Sequence, residues 1–441
     1  MNKRIVVAGA GHGGLAAAAF LAQNGYSVEV YEKRKKEELG YDWHDTVGRD
    51  TLRYAGIEEY DKADFHPRKN STFYAPALRT PVSFDAAPDK ADVEIDRKVL
   101  YSYLLRNAEN KGAVIRYSAN ITGPLLDSNN RVAGLLAGEK EIEAELVIDS
   151  AGMKSPVMAG LPASYSMKNI WRGNDVFHAY RAYYDLRDGI EIINKDRFNI
   201  YFKFNEIKGI AWLKVTGGFA DVLIGSAEAL NMEKVNETLE KLRKVQPAIG
   251  FRLQRGGCIR DIPIKPANSL LVGDRYAAVG DAVSMTVPMN GSGITNSIRA
   301  GAMLAETIRD IDKAGKPYGR EELWPYQVRY FQEINGKMTA VAVLKNQLLD
   351  YPGKVIDFLF DRGILGSKEL SAGNGSNELV MDKAEILDKL KKGYQRPFSL
   401  LKLKSAAAKS KQARQIAEEI PVDYEKQAVE KWRNQLEVFL K

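Results

Sequence analysis

The 441-residue chain has one cysteine, Cys258, and four histidines, His12, His44, His66 and His178. A single cysteine excludes an intramolecular disulfide, a Cys-x-x-Cys redox pair and a cysteine-held iron–sulfur cluster. The histidines are scattered without metal-ligand spacing. No apolar run approaches the roughly 18–20 residues that a membrane helix needs. Arg4 to Ala8 reads as a strand leading into glycines, not as a signal peptide, so a reduced, cytoplasmic protein is expected. No internal repeat is visible.

The charge is uneven. The formal net charge is +7, yet the ten Lys and Arg between Lys383 and Arg414 face only Glu385 and Asp388. That stretch carries +8 and leaves the rest of the chain near −1. A basic segment is joined to a nearly neutral body. Apolar residues lie among its lysines, which suits a peripheral membrane contact or docking of an acidic electron carrier. A solvated helical face packed on the body accounts for it equally well. No fold or aromatic pattern supports nucleic-acid binding.

Residues 4–34 read as strand, glycine turn, helix, strand. Gly9-Ala-Gly11-His-Gly-Gly14 fits Gly-x-Gly-x-x-Gly between the first strand and an Ala-rich helix. Gly9 makes the turn, Gly11 lets backbone approach a pyrophosphate and Gly14 permits close helix–strand packing. Glu32 ends the second strand, placed to accept from ribose hydroxyls. An acid there disfavours a 2′-phosphate, leaving NAD or the ADP half of FAD. From about residue 170 the period falls to two, with short strands at Val176–Tyr184, Arg197–Phe204, Ile210–Val215 and Val222–Gly225. Phe198, Ile200, Phe202 and Phe204 share one apolar face, predicting a sheet with one buried side. Met232, Val235, Leu239, Leu242 and Val245 mark an amphipathic helix. Residues 324–441 read as largely helical, with a Gly/Ser/Asn break at 366–377.

The segment from Ala277 through Gly280-Asp281, Pro288 and Gly291-Ser292-Gly293-Ile294 resembles the second FAD fingerprint of glutathione-reductase-type flavoproteins, in their geranylgeranyl reductase and aromatic hydroxylase branch. Asp149-Ser-Ala-Gly152-Met-Lys-Ser155 is similar to another element of that superfamily. Arg97 matches its Arg near the FAD pyrophosphate, and Gly40 to Gly48 occupies its loop beside the flavin. The resemblance implies FAD, with Asp281 on the ribityl chain and Gly293-Ile294 opening a helix toward the ring. Such a helix N-terminus stabilises negative charge on reduced flavin.

The expected fold is α/β: a three-layer, Rossmann-like FAD-binding domain, an interleaved antiparallel substrate sheet and a helical C-terminal region. The boundaries read 1–165 and 261–325 for FAD, 166–260 for the sheet and 326–441 for the helical region with its basic tail. The resemblance implies an FAD-dependent oxidoreductase reducing a carbon–carbon double bond of an apolar, isoprenoid-like substrate, with NAD(P)H or a ferredoxin-like protein as donor. An aromatic monooxygenase using NAD(P)H and O2 shares the platform, as does a flavin halogenase, whose paired-Trp signature is missing around Trp212. A flavin-less lipid carrier is a third reading, opposed by the intact Gly280-Asp281 and Gly291-Ser-Gly293. Alkene reduction needs a proton donor opposite the flavin. The first candidates are His44, Asp42 and Tyr180, with Tyr41, Asp45, Arg181 and Tyr183 behind them. Carboxylates around His44 are expected to raise its pKa. Cys258 is expected to be a small buried residue.

Overall fold

The computed structural model describes residues 3–440 apart from 69, 88, 90 and 373–382. At its centre Arg4–Ala8 runs parallel to Ser27–Tyr31 on one side and Leu146–Asp149 on the other. Val114–Arg116 and Tyr276–Ala278 extend the parallel order, and Val272–Gly273 closes one edge antiparallel. Ile5, Val6, Val7 and Ala8 are completely buried. A strand covered on both faces needs such an unbroken apolar run.

Helices His12–Gln23, Arg97–Asn110 and Ile294–Lys313 form the layer on one face. An antiparallel meander of Gly123–Leu126, Val132–Ala137 and Lys140–Glu143 packs on the other, completing three layers. The first and last of those helices cross at glycines. A Cβ on Gly301 would lie 2.2 Å from the Gly13 carbonyl oxygen, so only glycine permits this approach.

The second sheet has seven strands in the order Ile249–Pro263, Val176–Leu186, Ala220–Ser226, Gly209–Val215, Phe198–Phe202, Asn70–Tyr74 and Val82–Asp85. Two of these strands come from the span assigned by sequence to the first FAD segment, and Ile249–Pro263 runs past the boundary at 260. The sheet is not wholly antiparallel either, because Phe198–Tyr201 pairs parallel with Ser71–Tyr74.

Nor has it one buried side. Helix Met232–Val245 shares a core with Tyr180, Ala182, Tyr184 and Tyr201 on one face. Helix Gly353–Asp361 shares another with Phe73, Phe198 and Ile200 on the opposite face. Phe204 leaves the apolar face that its spacing suggests: Lys203 and Asn205 have left-handed backbones, so Phe204 turns into the core with helix Met232–Val245. Cys258 is exposed, not buried. It follows Gly256 and Gly257, both at positive φ, where the pairing register with Arg181 and Ala182 shifts.

The C-terminal region is helical among the described residues. Arg320–Tyr330 continues through a π turn into Gly336–Asp350, on which Pro397–Glu418 packs with Ala406, Ala413 and Ala417 buried. The sequence break at 366–377 begins with helix Ser367–Ala372, and its remainder lies outside the described residues. Val429, Trp432 and Leu436 are buried on the terminal helix. No helix among the described residues is long and apolar enough to cross a membrane.

Candidate flavin site

The glycine loop sits between Ala8 and helix His12–Gln23, as the spacing predicts. Gly9 has φ +83°, and a Cβ on Gly14 would lie 2.6 Å from Ser150 Cβ and 2.9 Å from Val7 Cγ1. Ser150 Oγ accepts from the Gly14 N–H at 3.2 Å, pinning the helix start to the adjacent strand end. Glu32 is buried at the end of the second strand, where it accepts from the Ala10 and Arg34 N–H groups, each at 2.9 Å. The acid therefore shapes the loop. Asp149 has a structural part in its motif. It accepts from Ser155 Oγ at 2.6 Å, Tyr276 Oη at 2.8 Å and the Ala151 N–H at 3.0 Å, and holds the turn through Gly152.

Across the cleft, Gly280 turns the chain at φ +69° and presents Asp281. Burial raises the Asp281 carboxyl pKa and Arg97 opposes the shift, yet the side chain keeps an exposed surface. A deep residue with open surface lines an internal cleft. Gly291, at φ +72°, leads through Ser292 and Gly293 into helix Ile294–Lys313, so unpaired N–H groups and the positive helix end face the same space.

The segment after Gly40 docks onto this helix start. Ser292 Oγ donates to the Thr46 carbonyl at 3.2 Å, and the Gly48 N–H donates to Thr295 Oγ1 at 3.0 Å. Part of what reads as a loop is a strand, His44–Val47, paired with Val93–Asp96. Arg97 follows that strand and pairs with Asp45, one contact being Nη2–Oδ1 at 2.6 Å. Burial lowers the Arg97 pKa, but the charge and hydrogen bond of Asp45, with Tyr101 and Tyr41, together outweigh it. Arg97 also acts on His12, whose pKa is pulled to about 3, first by burial and then by this cation. His12 Nε2 and Trp43 Nε1 are buried without partners.

This arrangement meets the requirements of FAD. Orphaned donors, a cation and a helix N-terminus suit the pyrophosphate, and Asp281 suits polyol hydroxyls. The buried His12 also implies an acid sensitivity. Its folded value lies below that of an unfolded imidazole, so the unfolded state takes up the proton first. Stability is fully present above about pH 6.5 and falls as pH drops toward 3. Between pH 6.5 and 5 the loss approaches about 2 kcal/mol in the apoprotein. His12→Gln is expected to flatten this dependence, read from urea unfolding at the two pH values.

The three proton-donor candidates fare differently. His44 lies beside the docked loop, its backbone N–H donating to Tyr183 Oη at 2.7 Å. Its pKa is lowered, contrary to the expectation: burial dominates, Arg255 and Arg181 add to it, and Asp221 and Asp96 do not compensate. Asp42 is exposed and paired with Arg255 at 3.1 Å and Lys98 at 3.7 Å. Tyr180 points away, into the core under helix Met232–Val245, with its hydroxyl 2.8 Å from that of Tyr184. Strand alternation explains the error, because Arg181 and Tyr183 take the opposite face. Arg181 is fully paired with Asp221, at 2.9 and 2.6 Å, donates to the His44 carbonyl and lies 4.7 Å from the Trp212 ring centre.

Beside the Pro288–Asn290 segment lies an apolar cavity open to solvent, walled by Phe177, Phe202, Ile210, Ile264, Leu348 and Ile356. No motif marks these residues. They come from three sheet strands, the 264 segment and the C-terminal helices, and only their apolar character was visible beforehand.

Residues 7–53 match the NAD(P)-binding Rossmann-like domain family, and residues 88–174 match the tryptophan halogenase family. The second span covers the Arg97 helix, the meander and the Asp149 turn, which are nucleotide-side elements. A digeranylgeranylglycerophospholipid reductase of Methanothrix thermoacetophila is 27% identical over 360 residues, covering 77% of this chain and 85% of the relative. A geranylgeranyl bacteriochlorophyll reductase-like structure from Thermoplasma acidophilum superposes with a TM-score of 0.73 at 19% identity, covering 92% of this chain and 99% of that one. The myxobacterial chondrochloren halogenase CndH gives 0.61 at 18% identity, covering 90% and 97%. The glycine loop, Glu32, Arg97, Asp281 and the Gly291–Ile294 helix start thus stand on a scaffold shared with these structures, and the chain is an FAD-dependent oxidoreductase similar to the geranylgeranyl reductases.

Proposed function

We propose that the protein reduces carbon–carbon double bonds in an isoprenoid-type lipid chain. The observation that carries this reading is the apolar cavity against Pro288–Asn290, next to the helix start that faces the flavin position. The similarity to reductases named for geranylgeranyl lipids supports it. Bound FAD supplies hydride from its reduced ring. The chain's own residues exclude water, through Phe177, Phe202 and Ile264, and hold the ring-side loop, through Arg181 and Tyr183. The electron donor is NAD(P)H or a ferredoxin-like protein. The test is anaerobic. Reduced holoenzyme mixed with a geranylgeranyl lipid is expected to regain its oxidised flavin band and yield a product two hydrogens heavier. Reoxidation only on admitting oxygen, with oxygen in the product, means a monooxygenase instead.

The same substrate class accounts for the basic segment. Phe398, Tyr394, Leu401 and Leu387 are 80%, 69%, 59% and 54% exposed, and Lys391, Lys392, Lys402 and Lys404 lie among them. Leu400 and Ala406 already pack inward, whereas these four apolar side chains stay on the outside. Apolar insertion with flanking cations fits an anionic bilayer surface. The protein is expected to float with phosphatidylglycerol vesicles, and Phe398→Glu with Leu401→Glu to abolish flotation. Equal flotation of the double variant ends the proposal.

A further inference from the structure

A second cleft lies beyond the wall of the apolar cavity, with about 1260 Å³ of space open to solvent. Lys345 belongs to the walls of both. The cleft brings together residues 163–172, 265–270, the helix Gly336–Asp350 and the terminal helix, and it adjoins the turn after Gly280, where Asn169 Nδ2 donates to the Ala282 carbonyl and the Asn268 N–H to the Val283 carbonyl, each at 3.0 Å. Its lining carries the cations Lys168, Arg172, Lys265, Lys345 and Arg433. Asp175 and Glu437 are the carboxylates that oppose them.

The cations are held by neutral groups more than by acids. Lys345 is 4% exposed, and its ammonium donates to the carbonyls of Asn174 at 2.5 Å and Ile264 at 2.6 Å. Lys265 donates to the Ile170 carbonyl at 3.0 Å and Asn268 Oδ1 at 2.9 Å. Arg433 Nε donates to Ser269 Oγ at 3.0 Å. Arg172 is more committed, donating to the Leu440 carbonyl at 2.8 Å with Glu437 3.9 Å away. Burial, only partly opposed by Asp175, lowers both lysine pKa values to about 8. Carbonyl dipoles do not neutralise buried cations, and such charges are costly without an anion. A doubly charged group with several acceptor oxygens supplies what is missing, at a site that arginine and lysine both suit.

We propose that this cleft binds a phosphate monoester, held by Lys265 and Arg433 with Lys345 behind them. The phosphate belongs either to the polar head of a lipid whose chain occupies the neighbouring cavity or to a nucleotide electron donor. Only the first source rests on the reading of the apolar cavity as the chain site.

The test is binding to oxidised holoenzyme, without turnover. Lys265 Nζ lies 4.7 Å from the Trp171 ring centre, so tryptophan emission reports on the site, with Trp171→Phe as the control. Glycerol 1-phosphate, adenosine 2′,5′-bisphosphate and inorganic phosphate are titrated separately. Saturation below about 1 mM by one of the organic phosphates is expected. Lys265→Gln and Arg433→Gln are each expected to weaken it about tenfold while the flavin spectrum stays unchanged. Preference for glycerol 1-phosphate identifies a lipid head, and preference for the bisphosphate identifies a nucleotide. Absence of saturation, or unchanged affinity in both variants, overturns the site. Because no alkene is present, that failure is independent of the alkene-reduction reading.

Discussion

Gly14→Val is expected to give a protein that purifies colourless and takes up FAD at least about a hundredfold more weakly, measured by flavin absorbance after reconstitution. The reason is packing at one atom. A Cβ there meets Ser150 Cβ at 2.6 Å and Val7 Cγ1 at 2.9 Å, one just past the end of a central strand and the other within one. The helix must move outward, which breaks the Gly14 N–H bond to Ser150 and carries the pyrophosphate donors away from Arg97. Overpacking of this kind costs about 1–3 kcal/mol in stability, so the fold survives while the cofactor is lost. Asp281→Asn separates the two effects. It keeps the fold and its shape but replaces an acceptor facing the polyol with a weaker one, so affinity falls by about tenfold. Normal FAD content in Gly14→Val contradicts the assignment of this loop.

Asp221→Leu is expected to lower stability by about 3–5 kcal/mol in urea unfolding. Arg181 is 7% exposed and Asp221 2% exposed, and two hydrogen bonds join them. Removing the acid leaves a guanidinium buried between Trp43, Trp212 and Tyr183, with only the weaker influence of Asp45, itself paired with Arg97, as counter-charge. Replacing both partners, as Arg181→Met with Asp221→Leu, is expected to recover most of the loss, because the charge to be solvated disappears. It is not expected to restore the flavin environment. Arg181 also donates to the His44 carbonyl, and that segment docks on Ser292 and Thr295 at the flavin helix. A double variant that is stable but has a shifted flavin spectrum identifies Arg181 as a positioning residue. Recovery of both properties makes the pair purely structural.

Much of the nucleotide half was legible because its chemistry is local. Gly9, Gly11, Gly14 and Glu32 lie within one strand–turn–helix–strand unit, where backbone geometry dictates residue type. Gly280-Asp281 and Gly291-Ser292-Gly293 are likewise short, and the structure sets them around one cleft with Arg97. The substrate half was less legible. Tyr180 and Tyr183 both read as polar aromatics on a strand, and one register step decides which faces the ring-side loop. His44 sits among carboxylates in the sequence, yet desolvation and two arginines from distant strands outweigh them. The strands Asn70–Tyr74 and Val82–Asp85 were absorbed into the first segment because no local pattern says which sheet an edge strand joins.

The basic segment marks the division. Sequence alone determined that its charge is concentrated between Lys383 and Arg414, since charge is a property of composition and order. Sequence alone likewise determined the dinucleotide turn, because glycine is required where backbones touch, and excluded an intramolecular disulfide or a cysteine-held iron–sulfur cluster. Tertiary structure decided which faces those residues present. It turned Tyr180 inward and Cys258 outward, and it assembled the apolar cavity from four separate stretches of chain. It also left Phe398 and Tyr394 outside while burying Leu400 beside them, and it gathered Lys265, Lys345 and Arg433 from remote positions. The physical reason is range. Turn geometry acts over a few residues, whereas burial and charge compensation depend on neighbours that only the folded chain supplies.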